Sequence, residues 1–496
     1  MARDNGGIIG VTNNPTSSTA TGVWSIESQY QARVGDTWPE RTLFTTKSAR
    51  FNSASTDSLD RTPSSSGSGT TFTMSMWLKR SGLGGTHLVY KAKGSGQTEF
   101  TLAFNSDKLQ VYQVNSGGGQ EAAIKTLAVQ RDTSAWYHAC IQIQTSVGTA
   151  TDRCKIYING VQQTIDSSGT DTYSSGFNTG VNQASYKQEI GGAASPYGGY
   201  MAEFIMIDGS ILAPTSFGVA NSDGVWTPIP YTGTFGTNGF NLQFENAAAL
   251  GTDTSPNGNT FTVNNLTSVD QATDYPEVNF CTWNSLDNFY SSATFSEGNT
   301  TVVTPNASLT YATSTIGLSN GRWYFEVQPF DPSDNNNIGI VDHVSTSNSS
   351  NAGELQFQPR GWCYRQAGDV YNNNSSVSGS WAAYSAGVTI GVFVDLVDNK
   401  IYWSRNGVMQ NSGTGVSITA AASTDTGFYF PAVGDYVTND DTTFKTNFGG
   451  SSSFTISSGV TDDNGYGTFE YTPNVTVDST AKKFYSINTA NLAEFG

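Results

Sequence analysis

The chain has 496 residues, a formal net charge of -17 and only 13% charged residues, and its pI is near 4.5. The length suits two domains rather than one, and 27 Phe, 23 Tyr and 10 Trp exclude an unfolded chain because they supply abundant surface to bury. The negative charge repels phosphate backbones and no Lys/Arg-rich stretch occurs, so the sequence excludes a nucleic-acid-binding protein.

Secretion and membrane insertion are not expected either. No apolar run approaches the length that crosses a bilayer, and the N-terminus MARDNGGIIGV lacks the basic start, apolar core and small-residue cleavage site of a secretory signal. We therefore expect a soluble protein that is made in a cytoplasm.

The first segment, residues 1–45, differs from the rest of the chain. Four apolar residues recur at helical spacing, namely Val23, Ile26, Tyr30 and Val34. Pro39 ends any such helix. The segment is either a short packing helix or an attachment segment that docks to other proteins through Trp24, Tyr30 and Trp38, since so small a helix cannot bury its own apolar face. The two interpretations are compatible.

Residues 46–218 consist of short alternating runs separated by Gly, Ser and Asn turns, the spacing of an antiparallel sandwich. The runs FTMSMWLKR (72–80), WYHACIQIQ with CKIYINGV (136–161), and IGG with GGYMAEFIMIDG (190–209) resemble, in this order, the laminin G-type, concanavalin A-like module. The resemblance spans about 170 residues and implies a jelly-roll sandwich.

The four cysteines, at positions 140, 154, 281 and 363, are sparse and irregularly spaced, which argues against a disulfide framework or a zinc site. Cys140 and Cys154 flank a predicted hairpin. Alternation places Ile141 and Ile143 on the same inner face as Cys154, and Cys140 on the opposite face. The two thiols are therefore expected to remain free.

Residues 219–290 form a polar connector that is too long for a bare linker. Aromatic residues punctuate it, as in WTPIPY and NFCTWNSLDN, and its periodic apolar residues predict short strands that pack against a neighbouring domain.

Residues 291–458 contain a second set of strands. The runs GRWYFEV (321–327), NIGIV (337–341), RGWCYRQAGDVY (360–371), VTIGVFVDLVDNKIYWSRNGV (388–408) and FYFPAVGDY (428–436), followed by TNFGG, resemble a SPRY domain in order and content. Within them, alternation predicts a hairpin that turns at Asp398-Asn399 and returns through Ile401 and Trp403.

Residues 459–496 are predicted to form a closing strand and a polar tail. Taken together, the N-terminal VTNNPTSSTATGVWSIESQYQARVGDTWP, the connector end NFCTWNSLDN and the tail TANLAEF resemble structural proteins of marine tailed phages. The resemblance implies a place in the virion and contact with other virion proteins through the N-terminal segment. Analogy with phage fibres suggests a homo-oligomer, with a trimer as the expected form, although no heptad seam supports it.

No catalytic residue is predicted. Glycosidases need two carboxylates facing each other across one cleft, and the nearest pair, Glu203 and Asp208, is five residues apart and would lie on opposite faces of a regular strand. Asp208 is expected to close a turn. A serine-histidine site is limited by the three histidines, His87, His138 and His343, which lack catalytic companions in the sequence.

No cofactor and no metal site are predicted, but weak calcium binding stays open because laminin G-type modules sometimes hold calcium. The candidate ligands are Asp331, Asp334, Asp440 and Asp441. Exposed turn acids are the preferred interpretation of these four residues.

The second domain carries the predicted ligand-binding set, because Tyr and Trp faces stack on sugar rings while Asn and Arg bond hydroxyl groups. Its members lie in or beside predicted loops: Asn335, Asn336, Asn337, Tyr364, Arg365, Tyr371 and Trp381. Ordinary solvated loops with a few packed aromatics are the alternative.

We therefore predict an all-β protein of two antiparallel sandwich domains of jelly-roll type behind a short helical or extended attachment segment. The predicted function is that of a non-enzymatic virion component, a tail fibre or adhesin-like protein that presents its sandwiches to host-surface glycan or protein. The alternative is a head-decoration or tail-joining protein without a receptor role. A depolymerase is the least favoured interpretation.

Overall fold

The structure is a computed structural model, and it describes residues 31–32, 44–94, 96, 98–167, 172–192, 194–221, 224–287, 293–305, 309–330, 336–346, 353–435 and 441–496. The chain divides into two compact units, residues 1–44 and 45–496. In the first unit Gln31 and Ala32 are helical. The predicted docking residues Trp24, Tyr30 and Trp38 lie outside the described residues.

The second unit begins with a β-sandwich whose strands extend to residue 272. They are β1 (Ser48–Phe51), β2 (Ser58–Arg61), β3 (Thr71–Arg80), β4 (Thr86–Lys93), β5 (Glu99–Asn105), β6 (Lys108–Val114), β7 (Gln120–Lys125), β8 (Trp136–Gln144), β9 (Cys154–Ile158), β10 (Val161–Gln162), β11 (Lys187–Ile190), β12 (Gly199–Asp208), β13 (Gly218–Ala220), β14 (Trp226–Pro228), β15 (Phe240–Leu242), β16 (Thr262–Asn264) and β17 (Gln271–Ala272). Three 3-10 helices lie between them, at Ala150–Asp152, Pro214–Ser216 and Ser268–Asp270.

Two antiparallel sheets enclose the first core. One has the strand order β10-β9-β8-β3-β12-β1-β17, with β15 also paired to β12, and the other has the order β16-β2-β11-β4-β5-β6-β7. Alternate residues of each strand point into the space between the sheets, as in Met74, Met76 and Leu78 of β3, which are fully buried. The period-two alternation of apolar residues in the sequence therefore identifies the side chains that are buried between the two sheets.

Residues 219–272 are built into this first sandwich. Strand β15 pairs with β12, β16 with β2, and β17 with β1, so three short strands from this segment extend both sheets. The hairpin β13–β14 lies on the outer face of the first sheet, where Trp226 packs near Trp77. Phe217 and Phe235 cover Ile205 and Ile207 on the same face.

A second sandwich follows. Its strands are β18 (Thr294–Ser296), β19 (Thr301–Val303), β20 (Tyr311–Thr313), β21 (Arg322–Phe330), β22 (Asn336–Val341), β23 (Trp362–Arg365), β24 (Asp369–Asn372), β25 (Ser375–Val377), β26 (Ile390–Asp395), β27 (Lys400–Arg405), β28 (Val408–Met409), β29 (Val416–Ser417), β30 (Phe430–Asp435), β31 (Thr443–Asn447), β32 (Asn474–Val477), β33 (Thr480–Lys483) and β34 (Tyr485–Ser486). It also has 3-10 helices at Leu355–Phe357, Asn411–Gly413 and Ala421–Ser423, and an α-helix at Thr489–Phe495.

The two sheets of the second sandwich have the orders β18-β19-β31-β21-β26-β27-β28 and β20-β30-β22-β23-β24-β25. The predicted hairpin is confirmed as β26–β27, with Val392 opposite Trp403 and Val394 opposite Ile401. Its turn residue Asn399 has φ 51°, a left-handed conformation that Asn tolerates better than most residues.

The C-terminal residues fold back onto the second sandwich. Strand β34 runs parallel to β21, and β32 pairs with β33. Phe469 and Phe484 pack with Phe393 and Tyr402 on the outer face of the sheet. Asp462 accepts hydrogen bonds from the backbone and hydroxyl of Ser486, which fixes the chain just before the α-helix.

The predicted all-β fold class is thus confirmed for the described residues. All four cysteines are free and buried, with Ile143 opposite Cys154 and Tyr157 opposite Cys140, so the predicted opposite orientation of the two thiols is confirmed. Among the described residues no helix is both long and apolar enough to span a membrane.

Candidate functional site

The two sandwiches are joined by buried polar contacts. Arg50 on β1 of the first sandwich is 2% exposed and forms ion pairs with Asp270, at 3.1 Å, and with Glu297, at 3.0 Å. Its other terminal nitrogen donates to the backbone carbonyl of Ser452 at 2.7 Å and to the hydroxyl of Ser451 at 3.1 Å. Arg50 therefore links the first sandwich to groups on both sides of the junction.

A second polar contact lies nearby, at Lys79 on β3. Its Nζ donates to Asp274 Oδ2 and to Asn279 Oδ1, each at 2.7 Å, and to the carbonyl of Phe280 at 2.9 Å. Trp136 Nε1 donates to the other carboxylate oxygen of Asp274 at 3.0 Å. The first sheet is therefore bonded directly to the segment that leads into the second sandwich.

A cleft opens at this junction. Two adjoining hollows of about 300 and 460 Å³ share Val269, Ser452, Phe454 and Thr455, so they form one continuous surface feature. We call it the junction cleft. Its lining includes Arg50, Glu297, Gln328, Phe330, Lys445 and Phe454.

The junction cleft combines apolar faces with polar groups, which is the usual character of a small-molecule site between domains. The Lys445 ammonium lies 4.2 Å from the centre of the Phe330 ring. Val269 is 55% exposed, and Phe454 is partly exposed. Aromatic faces can stack on sugar C–H groups, while amides, hydroxyls and paired charges can bond sugar hydroxyls.

Three members of the predicted ligand-binding set are buried in the second sandwich and cannot contact a ligand: Asn336, Asn337 and Tyr364 are each 0% exposed. The sequence predicts Asn336 in or beside a loop, but β22 begins at this residue and lies between β30 and β23. Asn336 Oδ1 accepts a hydrogen bond from Tyr384, at 2.8 Å, and Tyr364 donates to the carbonyl of Ala382. Asn335 lies outside the described residues.

The other three members, Arg365, Tyr371 and Trp381, are partly exposed, and each contacts neighbouring side chains of the protein. Arg365 forms a bidentate pair with Asp369, both bonds at 2.8 Å, and stacks on the Tyr371 ring at 4.0 Å. Trp381 packs edge-on against Trp403, with ring centres 5.8 Å apart. The structure therefore gathers much of the predicted set at β22–β24, but as packed structure rather than as one open site.

The junction cleft was not predicted from the sequence. Its residues come from several distant parts of the chain, and Arg50, Phe330 and Phe454 follow no common motif. The one local signal is Phe454 after Ser451, Ser452 and Ser453, a large aromatic residue in an otherwise polar stretch. Such a residue cannot be assigned to a binding site until its neighbours in the folded structure are known.

The two carboxylates considered for catalysis, Glu203 and Asp208, are 3% and 7% exposed, so neither lines an open cleft. Asp208 does not close a turn within its own segment, contrary to the prediction; it is buried and accepts from the backbone N–H groups of the distant residues Ser68 and Asn238 at 2.7 and 2.9 Å. The strand that carries the pair is not regular, however. A β-bulge interrupts the pairing between Ala202 and Ile205, and Glu203 within it has φ 47°.

Glu203 is 3% exposed, and burial raises the pKa of its carboxyl group to about 8. Its Oε1 accepts from Gln243 at 3.1 Å. A buried carboxyl group with a raised pKa destabilises the folded chain when it ionises. The raised pKa therefore has a consequence for stability.

We expect Glu203 to lower the free energy of unfolding as the pH rises from about 4.5 to about 8. In this range the folded chain retains a proton on Glu203 that the unfolded chain has released. Glu203→Gln should remove this component, and above pH 8 the variant should be more stable than the parent chain. Urea unfolding between pH 5 and pH 9 measures the difference. The exposed Glu494→Gln serves as control; an unchanged pH slope in Glu203→Gln would contradict the assignment.

The histidines do not form a catalytic dyad. His138 Nδ1 accepts from Trp226 Nε1 at 3.0 Å, so its proton lies on Nε2, which is 2.8 Å from Ser75 Oγ. The imidazole thus donates to the serine and cannot take its proton. Burial lowers the pKa of His138 to about 3. His87 lies 3.4 Å from the carbonyl of Pro196, and His343 bonds its neighbour Asp342.

No group of three or more His, Cys, Asp or Glu side chains in the described part of the chain is arranged to hold a metal ion. Of the calcium candidates, Asp441 is exposed, and Asp331, Asp334 and Asp440 lie outside the described residues.

Comparison with known proteins finds a family match for one part of the chain. No curated protein matches the sequence. Similar solved structures include the SPRY domain of human HERC1, 14% identical over 30% of this chain and 87% of that one, with a TM-score of 0.24. Another is a protein from Bacteroides ovatus described as carbohydrate binding, 15% identical over 47% of this chain and 60% of that one, with a TM-score of 0.32. Residues 53–213 match the family model of the concanavalin A-like lectin/glucanases superfamily, so the first sandwich is similar to concanavalin A-like domains.

Proposed function

We propose that this protein is a non-enzymatic carbohydrate-binding component of a virion, of the tail-fibre or adhesin type. The observation that carries the proposal is the match of residues 53–213 to the lectin and glucanase superfamily. Lectins and glucanases of one fold differ in whether two acids face each other across a cleft. Glu203 lies in a β-bulge and Asp208 bonds the backbone of two distant segments, and both are buried, which favours the binding alternative.

The junction cleft is the proposed place of contact with the ligand. It is open at the surface and lies between two sandwiches that the buried contacts of Arg50 and Lys79 link, so the cleft is already formed without a ligand. A preformed site loses less conformational entropy on binding. Phe454 offers an apolar face, and Gln328 and Lys445 lie beside it in the lining.

We expect Phe454→Ala to weaken binding to a host-surface polysaccharide at least tenfold, because loss of one stacking face removes about 1.5 kcal/mol or more. The measurement is titration of the purified full chain with fragmented polysaccharide from susceptible host cells. The matched control is Phe428→Ala, since Phe428 is 43% exposed and absent from the cleft lining. Equal affinities of both variants would reject the cleft. No binding by the parent chain in an oligomeric preparation would favour head decoration or tail joining.

The place in the virion and the partners are part of this proposal. The resemblance of residues 1–45, the connector end and the tail to structural proteins of marine tailed phages supports them. In this proposal the N-terminal segment binds other virion proteins, the chain is a homo-oligomer, and the sandwiches point towards the host.

A further inference from the structure

The buried Lys79 amine lies against two different acyl groups. Its Nζ is 2.7 Å from the carboxamide oxygen of Asn279 and 2.7 Å from a carboxylate oxygen of Asp274. The lysine and the aspartate are each 1% exposed. The amine is therefore kept from water beside a carboxamide that it can attack and a carboxylate that can carry a proton.

The surroundings hold these three groups in place. The Asn279 amide nitrogen donates to the carbonyl of Ser134 at 2.6 Å, and Trp136 holds the free oxygen of Asp274. The centre of the Tyr200 ring lies 5.8 Å from Lys79 Nζ. A hydrogen bond of 2.7 Å places Nζ about 3.5 Å from the carboxamide carbon of Asn279, so a short movement of Nζ from the oxygen to the face of the carboxamide brings it into position for attack.

We propose that Lys79 and Asn279 form an intramolecular isopeptide bond, with Asp274 as the acid-base group, and that this bond ties the first sheet covalently to the segment entering the second sandwich. The inference is independent of the ligand-binding proposal, since it concerns how the sandwiches are joined and not what they bind.

The reaction needs no oxidant and no cofactor. The Lys79 ammonium gives one proton to the Asp274 carboxylate, and the free amine attacks the carboxamide carbon of Asn279. A tetrahedral intermediate forms, and a second proton of the former amine leaves as the C–N bond to the side-chain nitrogen of Asn279 breaks. That nitrogen takes this proton and the proton held by Asp274 and departs as ammonium, so the new amide joins Nζ to the former carboxamide carbon and Asp274 is again a carboxylate.

The test is the intact mass of the folded full-length chain after prolonged incubation. The expected result is a mass lower than the sequence mass by one ammonia molecule, with a peptide pair linking Lys79 to Asn279 after digestion. Lys79→Arg keeps the positive charge but should show the full mass. This variant also separates the bond from succinimide formation at other asparagines, which would lose ammonia equally in both proteins.

Two further variants guard against a folding defect. Asn279→Ala retains the ion pair of Lys79 with Asp274, which lie 2.7 Å apart, and should show the full mass. Asn279→Asp should form the same bond with loss of water instead of ammonia. A parent chain with the full sequence mass and no linked peptide pair overturns the proposal, since the three acceptors around Lys79 would then only hold an unreacted ammonium.

Discussion

Arg50→Ala is expected to lower the free energy of unfolding by about 3–5 kcal/mol, because removing one partner leaves buried charge and carbonyl groups without their donor. Arg50 bonds Asp270 and Glu297 through one nitrogen and the Ser451 and Ser452 positions through the other. The measurement is urea unfolding followed by tryptophan fluorescence. Separation of the single transition into two would further indicate that the sandwiches unfold independently once the contact is lost.

The matched control for this prediction is Arg131→Ala. The Arg131 side chain is 64% exposed and pairs with Asp107, which keeps its buried partner Arg80. We expect a loss below about 1 kcal/mol, as for exposed ion pairs in general. Losses of equal size in the two variants would contradict a structural role of the junction contact.

Glu326→Ala should cost about 2–4 kcal/mol, because it leaves several buried donors without an acceptor. The carboxylate on β21 accepts from the Tyr324 hydroxyl, the Asn447 amide, and the backbone N–H groups of Glu470 and Tyr471, at 2.8–3.0 Å. The last two bonds fasten the C-terminal segment to the sheet. Besides the urea midpoint, faster proteolysis after residue 458 is therefore expected in the variant.

Tyr324→Phe provides the comparison for Glu326. It removes one of the four donors and leaves the aromatic ring that packs on Phe393, with ring centres 4.5 Å apart. About 1 kcal/mol is the expected loss. If Glu326→Ala proved no more costly than Tyr324→Phe, the two backbone bonds would contribute nothing measurable.

The proposed covalent tie and the Arg50 contact concern the same junction but make separable predictions. Arg50→Ala leaves Lys79, Asn279 and Asp274 in place, so the loss of ammonia should persist in that variant. A junction that is held both by ion pairs and by an isopeptide bond would suit a particle protein that works outside the cell. The mass measurement alone tests whether the isopeptide bond forms.

The sequence predicted the local structure well where alternation is regular. Strand β3, the β26–β27 hairpin and the orientation of Cys140 and Cys154 follow from period-two apolar patterns, because a strand sends successive side chains to opposite faces. The assumption of a regular strand failed at Glu203, since a bulge adds a residue that a regular period does not contain. The prediction also failed at Asn336 and Asn337, because polar letters at a strand start look like a loop until their buried partners are known.

The sequence by itself determined an acidic, all-β chain with turns rich in small residues, two sandwich cores and unpaired thiols. Only the tertiary structure decided how the cores are joined: residues 219–272 complete the first sandwich, Arg50 and Lys79 bridge to the second, and the junction cleft forms between them. The reason is physical. Strand periodicity is a property of near neighbours in sequence, whereas the junction joins groups about 200 to 400 positions apart, whose pairing depends on how whole sheets stack.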